Sequence, residues 1–471
     1  MSRVVFPTFP TIYWAEKQAQ DIAIVWDRGN ATLFSYLPRQ ISWQQLQLLI
    51  EQAVRLLEQL ALPNSLVAYS GSHRLIGLLC YCAVLASGRK ILTLNPAMSE
   101  IQRQQILQQN QVSILLTDQD FYSLDRGFQL SRNQDNGLFS FDKPATFTLT
   151  SGSSGNPKAV VHSIAQHLAN AISVCDFVQF DRHCSWLLSL PLFHVSGQGI
   201  VWRWLSQGAI LYLTEDKAEF WQMLSQVSHA SLVPTQLQRY LAWLGEKLVS
   251  QHILLGGSAI PADLIQQAQQ HQITTYAGYG MTEMASTICA VKNESDNVGK
   301  PLANREATLV EGEIWVKGQS LALGYWQQGK IVALHNAQGW FATKDKGRWN
   351  NGKLEVLGRL DNMFISGGEN IQPEEVEKVL QKYPLVKQVF VVPVADQEFG
   401  ERPVALVAFS EPFSIQAVNL LKSFAMQRLE KFKQPIAYFP LEDEIGQSNG
   451  IKMSRTHLKA YIANKLREKN V

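Results

Sequence analysis

Ser42-Trp43-Gln44-Gln45 opens a stretch in which Leu46, Leu49, Ala53, Leu57 and Leu60 recur every three or four residues. That spacing lays the apolar side chains along one helical face, and Ser followed three residues later by Gln has the form of a capping box. Leu75 to Ser87 is instead apolar on all sides for 13 residues and is flanked by His73-Arg74 and Arg89-Lys90. A bilayer crossing takes about 20 residues, so this stretch predicts a helix buried inside the protein. The glutamine-rich runs Gln102 to Gln111 and Gln266 to Gln272 read as solvated helix surfaces.

From about residue 146 the pattern alternates. Thr146 to Thr150 reads as a strand, Ile164, Leu168 and Ile172 mark one face of a helix, and Trp186 to Leu190 reads as the next strand. Ser231-Leu232-Val233 and Ile253-Leu254-Leu255 are short apolar runs closed by Pro234 and by Gly256-Gly257, and Pro261 opens a further helix. Strands alternating with helices imply right-handed crossovers and a mainly parallel sheet, with ligands gathered at the carboxyl ends of its strands. Beyond residue 300 the pattern changes. Ala307 to Val310 and Glu313 to Lys317, joined by Glu311-Gly312, read as a hairpin, and Lys353 to Leu357 as another antiparallel strand. The remainder reads as a small α+β unit: helix Pro373 to Lys382, strands Val386 to Val394 and Pro403 to Phe409, helix Ile415 to Phe432, and a last helix from about Thr456. The expected fold is therefore α/β, with a large domain over 1–360 and a small one over 361–471, the boundary near Leu360-Asp361.

Composition narrows the function classes. The chain has 471 residues, enough for two or three domains, and 42 Lys+Arg against 40 Asp+Glu give a formal net charge of +2 with no long run of either sign. A dedicated nucleic-acid binder would be more lopsided. The first ten residues show no basic region leading into an apolar stretch and cleavage site, so a cytoplasmic protein is expected. Five cysteines, none in a CxxC pair, read as buried reduced thiols and not as a disulfide framework or zinc site. The oligomeric state is left open, a homodimer included.

The densest chemical signal is Thr150-Ser151-Gly152-Ser153-Ser154-Gly155-Asn156-Pro157-Lys158, after a predicted strand and before a predicted helix. Small residues let backbone N–H groups approach phosphate oxygens, hydroxyls add donors, and Lys158 adds charge. A Walker loop requires Gly directly before the Lys, where this chain has Pro157. On composition alone the segment could be a plain Ser/Gly turn. Likewise His194 alone could be a satisfied strand-end histidine, and Glu283 a helix-start carboxylate favoured by the dipole.

Further segments follow in order: Pro191-Leu192-Phe193-His194, Tyr279-Gly280-Met281-Thr282-Glu283, Thr343-Lys344-Asp345, and Gly358-Arg359-Leu360-Asp361 leading to Ser366-Gly367-Gly368-Glu369-Asn370-Ile371. Together they resemble the adenylate-forming superfamily of acyl-CoA synthetases, luciferases and carrier-protein adenylation domains, over nearly the whole chain. The resemblance implies that Thr150 to Lys158 hold the β- and γ-phosphates of ATP and that Glu283 coordinates Mg²⁺. It places Tyr279, Gly280 and Thr282 at the nucleotide, with Tyr279 and Gly256-Gly257 flanking the adenine, and Asp345 and Arg359 at the ribose. Asp361 matches the hinge of the small domain, whose rotation presents the Gly367-Gly368 face for the second half-reaction with coenzyme A. The family's catalytic Gly-Lys pair corresponds to Gly450-Ile451-Lys452, with Ile451 inserted, and no other lysine lies between Lys433 and Lys459. Lys344 is a further departure, where the family has glycine.

The acid is suggested by Leu190 through Trp204. In a helix starting near Ser196, Gly199 and Arg203 are four apart and share one face. Arg203 would then enter the acyl pocket beside a glycine that leaves room for a ring. A guanidinium there suits an aromatic dicarboxylic acid, one carboxyl activated while the other pairs with the arginine. The alternative is a surface arginine on an amphipathic helix. The expected activity is an ATP-dependent aromatic dicarboxylate–CoA ligase using Lys452, His194, Lys158 and Arg203. Still open at this point are another aryl-acid CoA ligase, a carrier-protein adenylation enzyme, and a silent nucleotide-binding protein.

Overall fold

In a computed structural model of the chain, which describes residues 4–27, 34–126, 139–150, 157–258, 260–441 and 455–469, the capping box at Ser42 is formed. The Gln45 N–H donates to Ser42 Oγ at 3.2 Å, and the Ser42 N–H donates to Gln45 Oε1 at 2.9 Å. The helix Trp43–Leu60 that follows buries Leu46, Leu49, Ala53 and Leu57, and Trp43 stacks on Trp204 with centroids 5.0 Å apart.

Helix Arg74–Ala86 is apolar all round because it touches strands of two different sheets. Its free N–H groups are met by a carboxylate, as the helix dipole favours: Arg74 N and Leu75 N donate to Glu215 at 2.9 and 3.0 Å. One of the two sheets has nine strands, in the spatial order Lys300–Pro301, Ser286–Lys292, Ile273–Met281, Gln251–Leu255, His229–Leu232, Ser185–Leu187, Ile210–Thr214, Ile22–Asp27 and Gln40–Ser42. Its centre is parallel and its ends antiparallel. The other has seven, ordered Lys330–Val332, Gly324–Gln327, Lys158–Ser163, Pro144–Thr150, Lys90–Thr93, Leu66–Tyr69 and Ile114–Leu116.

The expected strand–loop–helix order around Lys158 is corrected here. Lys158–Ser163 is itself a strand, paired antiparallel with Pro144–Thr150 so that Thr150 lies opposite Lys158. The apolar run Ala159-Val160-Val161 is buried between neighbouring strands, which suits β-branched side chains, and helix Ile164–Val178 begins only after its own cap at Ser163. Among the described residues the helix after Lys158 starts only at Ile164, so the expected helix directly following the lysine is replaced by a strand. Strand Ser185–Leu187 is also shorter than the apolar run suggests.

Packing divides the chain into two compact units: Met1–Glu306 with Val316–Phe341, and Ala307–Trp315 with Ala342–Val471. The division falls before residue 360 because Arg305–Val310, Glu313–Gly318, Phe341–Asn350 and Lys353–Arg359 form one four-stranded sheet, most of which belongs with the small unit. The small unit also holds a five-stranded sheet centred on Val386–Asp396 and Gly400–Phe409. Alternation along these strands sends Val389, Val391, Ala405 and Val407 to one face, against Val376, Leu380 and Leu421. Val392, Val404 and Leu406 go to the other, against Leu458 and Ile462 of the last helix, Arg455–Lys469. The helix expected to reach Phe432 ends at Met426, and the chain turns so that Leu429 and Phe432 fold back onto the core. Arg455 fixes the start of the last helix, donating to the Val391 carbonyl at 2.6 Å and to Glu377 at 2.8 Å. Four of the five cysteines are buried and Cys184 is half-buried, all as free thiols. Among the described residues no helix is long and apolar enough to cross a membrane.

Candidate active site

In the large unit, Lys158 stands exposed at the first position of its strand, its Nζ 5.4 Å from the ring centroid of Tyr325. The Tyr325 hydroxyl donates to Glu283 Oε1 at 2.9 Å. Glu283 sits in the single 3-10 turn Thr282–Met284 that ends strand Ile273–Met281, and its carbonyl accepts from Ala322 N at 2.8 Å. The fold thus gathers the predicted phosphate lysine and the predicted metal carboxylate around a tyrosine that the sequence reading did not single out. Its signal was the pair Tyr325-Trp326 entering a strand after Gly324.

The turn after Glu283 is held in an unusual conformation. Ala285 has φ of 54° and Ser286 of 115°, a region that side-chain-bearing residues rarely enter and that costs of order 1–3 kcal/mol. Two buried side chains keep it there. Asn170 Nδ2 donates to the carbonyls of Met284 at 2.8 Å and Thr287 at 3.0 Å. Arg305 also donates to the Thr287 carbonyl, and its other amine reaches Ser173 Oγ and the Asn170 carbonyl. Gly280 is required opposite this turn, since a Cβ there would lie 2.1 Å from the Ser286 carbonyl oxygen. Tyr279, half-buried, precedes it where the register with Ser286–Lys292 shifts. The Gly256-Gly257 pair leaves the neighbouring strand, with Gly257 at φ of 90°, and a Cβ on Gly256 would meet the Gly278 carbonyl at 3.6 Å.

Arg203 lies in helix Val195–Gln207 and is 1% exposed. The surface-arginine alternative is therefore excluded. Its Nη1 donates to Ser231 Oγ at 3.3 Å, its Nη2 to Ser286 Oγ at 3.5 Å, and its guanidinium lies 5.0 Å over the Trp186 ring. Among the described residues no carboxylate comes within ion-pair distance, Nε has no partner, and burial pulls the pKa down to about 10. A Cβ on Gly199 would sit 3.2 Å from Nη2 and 3.4 Å from Ser286 Oγ, so a side chain there would crowd the guanidinium. His194 caps the same helix without a side-chain hydrogen bond; its Nε2 is unpartnered and burial lowers its pKa, so it is neutral near pH 7.

The small unit assembles its own group. Arg359 Nη1 lies 3.2 Å from Asp345 Oδ1, while its Nε and Nη2 form a two-pronged pair with Asp361, each at 3.0 Å. Burial alone would lower the Arg359 pKa, but the two carboxylates hold it above its usual value. The Thr343 hydroxyl donates to the Ile314 carbonyl at 2.7 Å and accepts from Asp345 N at 3.0 Å, which orients the buried Asp345. Gly367 and Gly368, at φ of 58° and 87°, turn Phe364–Ser366 into Glu369–Ile371. Ser151, Gly152, Ser153, Ser154, Gly155 and Lys452 lie outside the described residues.

The chain belongs to the AMP-binding enzyme family, whose model matches residues 13–326, and the AMP-binding enzyme C-terminal domain matches residues 375–447. Among curated relatives, the 2-succinylbenzoate–CoA ligase of Haemophilus influenzae is 48% identical over 429 residues, 90% of this chain and 93% of that protein. Among solved structures, an arginine-to-lysine variant of Escherichia coli MenE with bound OSB-AMS matches with a TM-score of 0.86 at 38% identity, covering 98% of this chain and 99% of the other. The o-succinylbenzoate coenzyme A synthetase (MenE) from Bacillus subtilis, in complex with ATP and magnesium ion, matches with a TM-score of 0.80 at 25% identity, covering 92% and 95%.

Lys344, the departure from glycine, has φ of 61°. A left-handed lysine is strained by about 1 kcal/mol, so Lys344→Gly should raise the thermal midpoint of the small unit, measured by calorimetry, with little change in turnover. A lower midpoint would show that the lysine side chain, not the backbone, governs this turn.

Proposed function

We infer that this enzyme joins 2-succinylbenzoate to coenzyme A, forming 2-succinylbenzoyl-CoA with release of AMP and pyrophosphate, a step of menaquinone or phylloquinone biosynthesis. The observation that carries the choice of acid is Arg203, a guanidinium at the heart of the large unit whose partners are two hydroxyls and an indole. Burying such a charge without an anion costs several kcal/mol. A second carboxylate on the substrate would supply that anion, and Gly199 sets no side chain against the guanidinium.

The two steps follow. The succinyl carboxylate, ionised at neutral pH, attacks the α-phosphorus of ATP; the bond to pyrophosphate breaks and a mixed anhydride with AMP forms. Lys158 and Lys452 offset the negative charge that develops. Mg²⁺ fits the residues present: it is held by one or two carboxylates plus phosphate oxygens, and the described residues offer Glu283 there and no cluster of three ligating side chains. Bound there, it would neutralise phosphate charge. Asp345 and Arg359 take the ribose, and Tyr279 with Gly256 and Gly257 the adenine. The small unit then pivots at Asp361, whose pairing with Arg359 ties the pivot to a nucleotide-binding side chain, and the Gly367-Gly368 turn replaces Lys452 at the site. The CoA thiolate attacks the acyl carbon and AMP leaves with the bond electrons. His194, neutral and unpartnered at Nε2, shapes the acyl pocket and the thiol's approach. The need for ATP and CoA is consistent with a cytoplasmic enzyme.

Arg203→Ala should raise KM for 2-succinylbenzoate by about a hundredfold or more while changing KM for ATP by less than about threefold, as expected for breaking a buried ion pair. An unchanged acid KM would remove the arginine from the acyl pocket. Lys452→Ala should slow adenylate formation by about a thousandfold, read by pyrophosphate release, with far less effect on thioester formation from supplied acyl-adenylate. Equal loss in both half-reactions would contradict the assigned role.

A further inference from the structure

We propose that Tyr325 is a positioning residue for the metal carboxylate and the phosphate lysine together, holding Glu283 by its hydroxyl and Lys158 by its ring. The inference rests on the reading of Glu283 as the Mg²⁺ ligand. The geometry is specific. Tyr325 enters from Gly324–Gln327, a strand paired antiparallel with Lys158–Ser163, its Cα opposite Val160. This register brings the ring 5.4 Å from the Lys158 ammonium and the hydroxyl 2.9 Å from Glu283 Oε1. Three segments distant in sequence thus converge on one phenol.

Gly324 makes the approach possible: its φ is 156°, and a Cβ there would lie 2.2 Å from the Val332 carbonyl. The carbonyl of Glu283 is separately fixed by Ala322 N, three residues before Tyr325. Backbone and side chain of the metal-binding residue are therefore both set by the segment 322–325. A donor on one carboxylate oxygen fixes the rotamer, which is how groups behind a ligand tune metal affinity. The ring face attracts the lysine cation and holds it on the side where the phosphates arrive. Sequence separation hides this arrangement, since tyrosine and carboxylate are 42 positions apart.

The test is a double-mutant cycle on the full-length enzyme with Tyr325→Phe, Glu283→Gln and the pair. Calorimetry would follow Mg²⁺-dependent binding of α,β-methylene-ATP without acid or CoA, so that no turnover is involved. Tyr325→Phe keeps the ring and should raise the Mg²⁺ concentration giving half-maximal tight binding by about tenfold, with metal-free nucleotide affinity unchanged. In the Glu283→Gln background the same change should move it by less than about twofold, because the hydroxyl acts through that carboxylate. Tyr325→Leu should in addition weaken metal-free nucleotide binding about threefold by removing the lysine's aromatic face. A Tyr325→Phe enzyme with the parent's Mg²⁺ dependence, beside a clear shift in Glu283→Gln, would overturn the role of Tyr325 and leave the function standing. An unshifted Glu283→Gln would overturn both the metal reading and this inference.

Discussion

A guanidinium removed from water and left without a carboxylate is the constraint around which the acyl side of this protein is arranged. Arg203 is fully enclosed, and even a nearby thiol and two hydroxyls leave its pKa drawn down by burial. Evolutionary alternatives are simple: a leucine or methionine at this position of an apolar helix would pack without desolvating a charge. The arginine becomes favourable when an anion arrives. Around it, Gly199 has no side chain to crowd the fork, Trp186 offers an aromatic face, and the hydroxyls of Ser231 and Ser286 accept from the fork without neutralising it.

The strained turn at residues 284–287 links the surroundings of Arg203 to those of Glu283. Glu283 stands immediately before it and Ser286 within it, so one backbone feature sets the position of the carboxylate proposed to hold the metal and of a hydroxyl on the buried arginine. Asn170 and Arg305 supply the hydrogen bonds that hold it in place. The small unit repeats the logic with charge, Arg359 being shared between Asp345, oriented by Thr343, and Asp361, the proposed pivot. In both units, side chains proposed to meet the nucleotide are aimed by hydrogen-bonding neighbours.

Much of this was legible beforehand where the determining contacts are local. The capping box at Ser42, the helix carrying Gly199 and Arg203, the Glu311-Gly312 hairpin and the all-apolar helix after Arg74 depend on residues a few positions apart. What was missed depends on residues far apart in the chain. Strand Lys158–Ser163 is flanked on its other edge by the distant Gly324–Gln327, and the Arg305 to Asn170 contact spans 135 positions. Strand Phe341–Asn350 gave no apolar signal because its buried alternate positions are Thr343, Asp345 and Gly347, polar or small residues whose burial is justified by hydrogen bonds. Lys452 could be assigned only by its likeness to a motif, across an inserted residue.

The central claim is that Arg203 recognises a second carboxylate on the acid. ATP–pyrophosphate exchange measured with 2-succinylbenzoate and with 4-oxo-4-phenylbutanoate, identical but for the ring carboxylate, tests it directly. The account predicts that the analogue lacking that group needs at least about a hundredfold higher concentration for half-maximal exchange, because the buried guanidinium is then left without its anion. Equal half-saturation for the two acids would contradict it.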